Sequence, residues 1–141
     1  MRRLSVLVVA ILGCAPGPVP PRVVVGPPVP RTSCSGVVST DSTVYDTIQV
    51  TERPVAYDGP ILNYPSELRA AGVQGRVLLS VVINTDGRAD TRSIEAIHSP
   101  DSGLTYEATR WVVGAKFWPG CLAGRPVRVR VAIPIDFKVM R

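Results

Sequence analysis

Three cysteines and one histidine hold most of the reactive chemistry open to this 141-residue chain. Cys14 directly follows an export-type start, in which Arg2 and Arg3 precede a short apolar run from Leu4 to Leu12. Cys34 and Cys121 remain beyond it, and in an oxidising compartment this single pair can form a bridge. His98 has no second histidine and no cysteine motif near it, so its residue type reads as a strand-end surface residue and not as a metal ligand. No Ser/His/Asp or Cys/His set can be assembled for nucleophilic catalysis. Asp86, Asp90 and Glu95 fall on a turn and a polar strand, where carboxylates are ordinarily solvated. Two arginines, Arg128 and Arg130, lie within an alternating apolar stretch near the C-terminus. There they suit either protection of a sheet edge or contact with a ligand. The inventory implies no cofactor and leaves an enzyme as the remote reading.

The run Ile11-Leu12-Gly13-Cys14 resembles the lipobox of bacterial lipoproteins, in which the cysteine becomes the first residue after cleavage and carries the lipid. Leu12 is bulkier than the small residue usual before the glycine, so an ordinary cleaved signal over residues 1–13 is the competing reading. The apolar run is too short to span a bilayer, which takes roughly 20 residues. The formal charge of +5 includes Arg2 and Arg3. Once they are removed the chain is only mildly basic, which implies no nucleic-acid partner.

Residues 15–30 are mainly Pro, Val and Gly and favour an extended polyproline spacer. Residues 32–43 continue as a polar Ser/Thr-rich tract. Residues 44–55 alternate partially and read as a short leading strand. Residues 14–54 are therefore assigned to a linker, and residues 55–141 to the folded domain. Within the domain, Pro65, Glu67 and Gly72 delimit a helix of about two turns. A strand from Gly75 to Asn84 reaches the turn Thr85-Asp86-Gly87, and a second strand runs from Arg88 to His98. Asp101 or Ser102 caps a second helix, whose apolar face is Leu104, Ala108, Trp111, Val112 and Ala115. A third strand alternates through Val127, Val129, Val131 and Ile133 and on to Val139.

A short turn makes strands one and two antiparallel, and the helical connection makes strands two and three run in the same direction. An antiparallel sheet then needs strand one in the middle. The expected fold is α+β, a three-stranded sheet of order 2-1-3 with two helices on one face. Strand three becomes an edge. Proline has no N–H for a ladder, and Pro126 and Pro134 share one parity. The even-numbered residues Arg128, Arg130 and Ala132 should therefore turn unpaired main-chain groups outward, where an extended peptide can add as a strand.

Seven fragments, in this order, resemble the C-terminal domain of the TonB family: Tyr64-Pro65, Arg69-Ala70-Ala71-Gly72-Val73, Gly75-Arg76-Val77, Asn84-Thr85-Asp86-Gly87, Ala115-Lys116-Phe117-Trp118-Pro119, Gly124-Arg125-Pro126-Val127 and Pro134-Ile135-Asp136-Phe137. The resemblance implies a non-enzymatic periplasmic module that binds extended segments, the TonB boxes, of TonB-dependent outer-membrane receptors. Carried over by position, the peptide-binding strand is Arg128, Val129, Arg130, Val131 and Ala132. The resemblance also implies an envelope location, with the chain tethered by a lipid or a signal anchor. Two departures stand out. Ile61 and Leu62 occupy positions that are polar in many members, and no long anchor helix is present in residues 4–12. A lipid-tethered scaffold or assembly factor that reuses the fold is the alternative.

Overall fold

The computed structural model describes residues 34–140. In chain order the elements are β1 (Val44–Asp46), β2 (Val55–Asp58), α1 (Ser66–Ala70), β3 (Gly75–Ile83), β4 (Glu95–His98), α2 (Ser102–Gly114), β5 (Lys116–Trp118), β6 (Gly120–Leu122) and β7 (Arg125–Phe137), with a 3-10 turn at Thr91–Ser93.

The class is α+β, but the sheet corrects the three-stranded expectation: β1 and β6 are added, so the full order differs from 2-1-3, while β4, β3 and β7 stand side by side as expected for strands two, one and three. Five strands are joined in the order β1-β7-β3-β4, with β6 pairing the start of β7. The central ladder is long: β3 and β7 run antiparallel from Gly75↔Phe137 to Ile83↔Val129. Its core side is Val77, Leu79, Val81 and Ile83 on β3, with Ile135 and Phe137 on β7. Every one of these side chains is fully buried. Leu104, Ala108, Trp111 and Val112 of α2 close over this face. At about 25 cal/mol per Å² of apolar surface removed from water, this layer supplies most of the drive to fold.

Local chemistry sets the element ends. The Asp101 carboxylate accepts the Gly103 N–H at 2.7 Å and starts α2. α1 is a little over one turn, shorter than expected. Tyr64 anchors it from outside by packing its ring on Phe137, centroids 5.4 Å apart, and donating its hydroxyl to the Val73 carbonyl. The chain leaves α1 through Gly72 at φ 71°, the left-handed conformation that favours glycine. The second strand is also shorter than expected. Val82, which would continue the ladder, instead gives its N–H to the Ser93 hydroxyl at 2.8 Å and its carbonyl to the Asp90 N–H. The Asp90 side chain caps Arg92 at 3.1 Å, so residues 91–93 turn before β4 begins.

Upstream of the family-like region the chain is ordered against the domain. The leading strand read over residues 44–55 is two separate strands. β1 lies parallel to β7, whereas β2 pairs antiparallel with β5. Between them Thr51 and Glu52 bond to the Cys121 carbonyl at 2.8 and 3.1 Å, and Cys121 returns its N–H to Glu52. Part of the segment assigned to the linker is therefore sheet.

Candidate functional site

The outer edge of β7 gathers the residues whose main-chain groups look away from the core. Pro134 lies opposite Leu78 and offers no N–H, which sets the parity of the ladder. The odd-numbered residues of β7 exchange bonds with β3, and the even-numbered ones face outward. The same parity holds further upstream, where the carbonyls of Gly124 and Pro126 accept from the N–H groups of Gly36 at 2.9 Å and Ser39 at 3.4 Å.

This edge is not open along its whole length. β1 covers it in the register Val44↔Arg128, Tyr45↔Val129, Asp46↔Arg130. The expectation of unpaired groups at Arg128 and Arg130 is corrected, because the chain supplies its own strand there. Ala132 lies beyond the end of β1 and, among the described residues, pairs only with Ser80 of β3. Arg130 and Ala132 are exposed, whereas Val129 is buried and Val131 is half-buried against the core. Their side chains thus divide between solvent and interior while their backbones share one strand.

Arg128 has a structural task that its position left ambiguous. Its guanidinium donates to Asn84 Oδ1 at 2.9 Å and to the Ser42 carbonyl at 3.1 Å, and pairs with Asp90 Oδ2 at 2.9 Å. One side chain thus ties the incoming segment to β7, to the end of β3 and to the turn before β4. Asp90 is therefore not the merely solvated carboxylate its polar neighbourhood suggested. The turn that carries Asn84 closes through Gly87 at φ 78°, whose N–H bonds to the Asn84 carbonyl at 3.0 Å.

The approach to β1 is also shaped. The Asp41 carboxylate accepts the Thr43 N–H at 3.0 Å and its hydroxyl at 2.6 Å. Those bonds hold its pKa below the usual carboxylate value. Upstream of it, Cys34 and Cys121 are bridged by a disulfide with Cα atoms 5.7 Å apart. Cys121 is almost fully buried. Cys14 lies outside the described residues.

The remaining candidates disperse. His98 is exposed at the end of β4 opposite Leu78. Glu95 is exposed beside Ser80, and Asp86 accepts the Arg88 N–H at 2.9 Å. Among the described residues no three His, Cys, Asp or Glu side chains gather in a way that would hold a metal ion. Trp111 and Phe117 belong to the core, whereas Trp118 is partly exposed and stacks on Tyr57 with centroids 4.5 Å apart. No helix among the described residues is long and apolar enough to cross a membrane.

Residues 44–46 fall in the expected leading strand, but nothing in the sequence signals their pairing with β7 or the part played by Asn84 and residues 36–43. Their partners lie far away in the chain, and β1 is too short to show a period.

The family model for the C-terminal region of the Gram-negative bacterial TonB protein matches residues 60–139. No curated protein matches the chain. The match ends just beyond β7 and begins after β2, so β1 and the disulfide's Cys34 lie outside it.

Proposed function

Because the chain belongs to the family of TonB C-terminal domains, a non-enzymatic interaction family of the Gram-negative envelope, we propose that it binds extended periplasmic segments of TonB-dependent outer-membrane receptors by strand addition. The acceptor is the outer edge of β7 at Arg128, Val129, Arg130, Val131 and Ala132. The observation that carries this reading is that the edge already takes an added strand, β1, in a defined register. An incoming segment would continue from Ala132 and displace β1, which is only three residues long and largely exposed. Four or five main-chain bonds at about 1 kcal/mol net each, with some side-chain burial, correspond to roughly micromolar affinity. Weak binding suits a grip that must release.

The tether is part of the proposal. Cys14 would carry a lipid after removal of residues 1–13, which places the domain on the periplasmic side of a membrane. Intact mass of membrane-extracted protein should begin at an acylated Cys14. A second reading, an envelope scaffold that keeps the fold without coupling to transport, is favoured by one observation: the chain fills much of its own binding edge.

The test uses the full chain and peptides copied from the periplasmic N-terminal segments of outer-membrane receptors. Titrated peptide should shift the amide resonances of residues 128–132. Arg130→Pro removes an outward N–H and should remain folded while losing the peptide, with Arg130→Ala as the control for lost charge. Peptide binding that leaves these amides unmoved, or that survives in folded Arg130→Pro, would overturn the receptor reading.

A further inference from the structure

Segment 34–52 is a loop hung by both ends on one residue. At its start Cys34 is disulfide-bonded to Cys121, and at its end Thr51 and Glu52 bond to the Cys121 main chain. Between these anchors the segment runs beside β7, touching the Gly124 and Pro126 carbonyls before it forms β1. Among the described residues, the main further hold on it is the Arg128 guanidinium at the Ser42 carbonyl. Val37, Val38 and Val44 remain exposed, and β1 contributes no residue to the buried core. A strand retained by tethering and main-chain bonds, with almost no side-chain burial, is built to be exchanged.

We propose that β1 is an internal competitor for the strand-addition edge, and that the Cys34–Cys121 disulfide sets how strongly it competes. The proposal rests on the reading of β7 as a peptide-binding edge. It adds that access to that edge is controlled by the redox state of the chain. Tethering at both ends holds β1 at high effective concentration over Arg128 and Arg130, and an external strand must overcome that concentration. Reduction removes the covalent tether at Cys34 and leaves that end held only by its hydrogen bonds to Gly124, Pro126 and Arg128, so the effective concentration of β1 falls.

The reductant is a dithiol. One of its thiolates attacks the Cys34 sulfur, since Cys34 is half-buried whereas Cys121 is almost fully enclosed. Cys121 leaves as a thiolate and a mixed disulfide forms on Cys34. The second thiol of the reductant, as its thiolate, then displaces Cys34. The dithiol ends as a disulfide, and Cys34 and Cys121 each gain one electron and one proton.

The geometry also supplies a probe that needs no receptor. A labelled synthetic peptide of residues 36–48 carries the β1 sequence and should occupy the edge from outside once the internal copy is disabled. With Arg128 and Arg130 facing outward, Tyr45 is the residue of β1 whose main-chain groups face β7. Tyr45→Pro therefore removes an N–H from the competing strand without touching β7. Anisotropy of the labelled peptide is measured with the oxidised full chain, the dithiol-reduced full chain and oxidised Tyr45→Pro. Amide exchange is followed at Arg128 and Arg130, with Val81 of the central strand as the fold control.

The oxidised wild type should bind the peptide at least about tenfold more weakly than the other two, and exchange at Arg128 and Arg130 should accelerate by a similar factor on reduction. Equal affinity for all three proteins would overturn the proposal. So would failure of Tyr45→Pro to bind while Val81 stays protected. If Tyr45→Pro loses Val81 protection, the reduced wild type decides by the same criterion. If the self-peptide binds the freed edge but receptor-derived peptides do not, the competing strand stands and the receptor reading falls.

Discussion

The two sides of β7 are made in opposite ways. Its inner side pairs with β3 over nine residues of each strand, from Gly75↔Phe137 to Ile83↔Val129, and the core-facing residues of β3 are sealed from water. Its outer side pairs with β1 over three residues, at Val44, Tyr45 and Asp46, of which only Tyr45 is half-buried. Both sides use the same main-chain chemistry. Burial separates them: a ladder backed by apolar packing is part of the fold, whereas one backed by tethers and a single arginine is an exchangeable contact. Local stability should follow that difference.

The sharpest way to break the comparison is to place proline on each parity in turn. Val129→Pro deletes an N–H directed at β3, in a side chain that is fully buried. The lost ladder bond and the ring clash together amount to about 3 kcal/mol or more, a large share of the stability of a small domain. Urea unfolding followed by circular dichroism should show a much lower midpoint for Val129→Pro and a nearly unchanged one for Arg130→Pro. The reverse pattern would show that the parity is misassigned.

Reduction of the disulfide is comparable in size. The bridge spans 87 residues of sequence. For a loop of that length the chain-entropy model gives about 4–5 kcal/mol. That figure applies to unfolding of the entire domain, since the reduced native chain can release residues 34–50 and keep its core. The expectation is therefore two-tiered. Urea unfolding should show a substantially lower midpoint after reduction, and Arg128 and Arg130 should exchange early under native conditions while Val81 remains protected. Simultaneous loss of protection at all three would mean that the two sides of β7 are one cooperative unit.

How much of this was legible in the sequence depends on the range of the signal. Val77 to Ile83 announce a central strand through composition alone, and Asp101 or Ser102 announces a helix start, because each signal lies within a few residues of its effect. The prolines at 126 and 134 carry the parity of β7 for the same local reason. β1 was not legible as the partner of β7. Three residues carry too little periodicity, and the pairing with Arg128 spans most of the domain. The late start of β4 was hidden because Asp90 and Ser93 look like ordinary polar strand residues until their side chains are seen bonding the backbone. The role of Arg128 could not be settled in sequence either, since edge protection and ligand contact call for the same residue type. Its partners Asn84, Asp90 and Ser42 come together only in the fold.

Arg128 also offers a prediction of intermediate size. Arg128→Ala removes the ion pair to Asp90 and both hydrogen bonds, at a side chain that is about three-quarters shielded. The expected cost is about 1–2 kcal/mol, measured as a lower urea midpoint with an unchanged slope. Amide exchange should accelerate in β1 more than in β3, because the Ser42 tie belongs to the outer side alone. A uniform change over both strands would assign Arg128 to the inner framework instead.

The smallest expected effect is with acid, and it also compares the two sides. Asp136 sits on the inner ladder opposite Arg76, bonded at 2.7 Å, and that hydrogen bond holds its pKa below the usual carboxylate value. Asp41 precedes β1 and is lowered by its bonds from Thr43. A group whose folded pKa is depressed contributes stability above its unfolded pKa of about 4, and loses it as pH falls through the folded value. Both contributions should therefore be intact at neutral pH and fade only below about pH 4. Each involves an exposed surface group, so the loss of global stability should be slight. The two carboxylates differ in what they release. Protonating Asp136 weakens one cross-strand pair in a ladder with a buried core behind it, which should leave β3 protected. Protonating Asp41 loosens the turn into β1, which has no such core, so β1 amides should lose protection first as the solution is acidified. Asp41→Asn should lower β1 protection already at neutral pH and make it less sensitive to acid, whereas Asp136→Asn should leave β1 unaffected. Tighter β1 protection at low pH would reverse the sign of the argument and show that Asp41 opposes the strand it precedes.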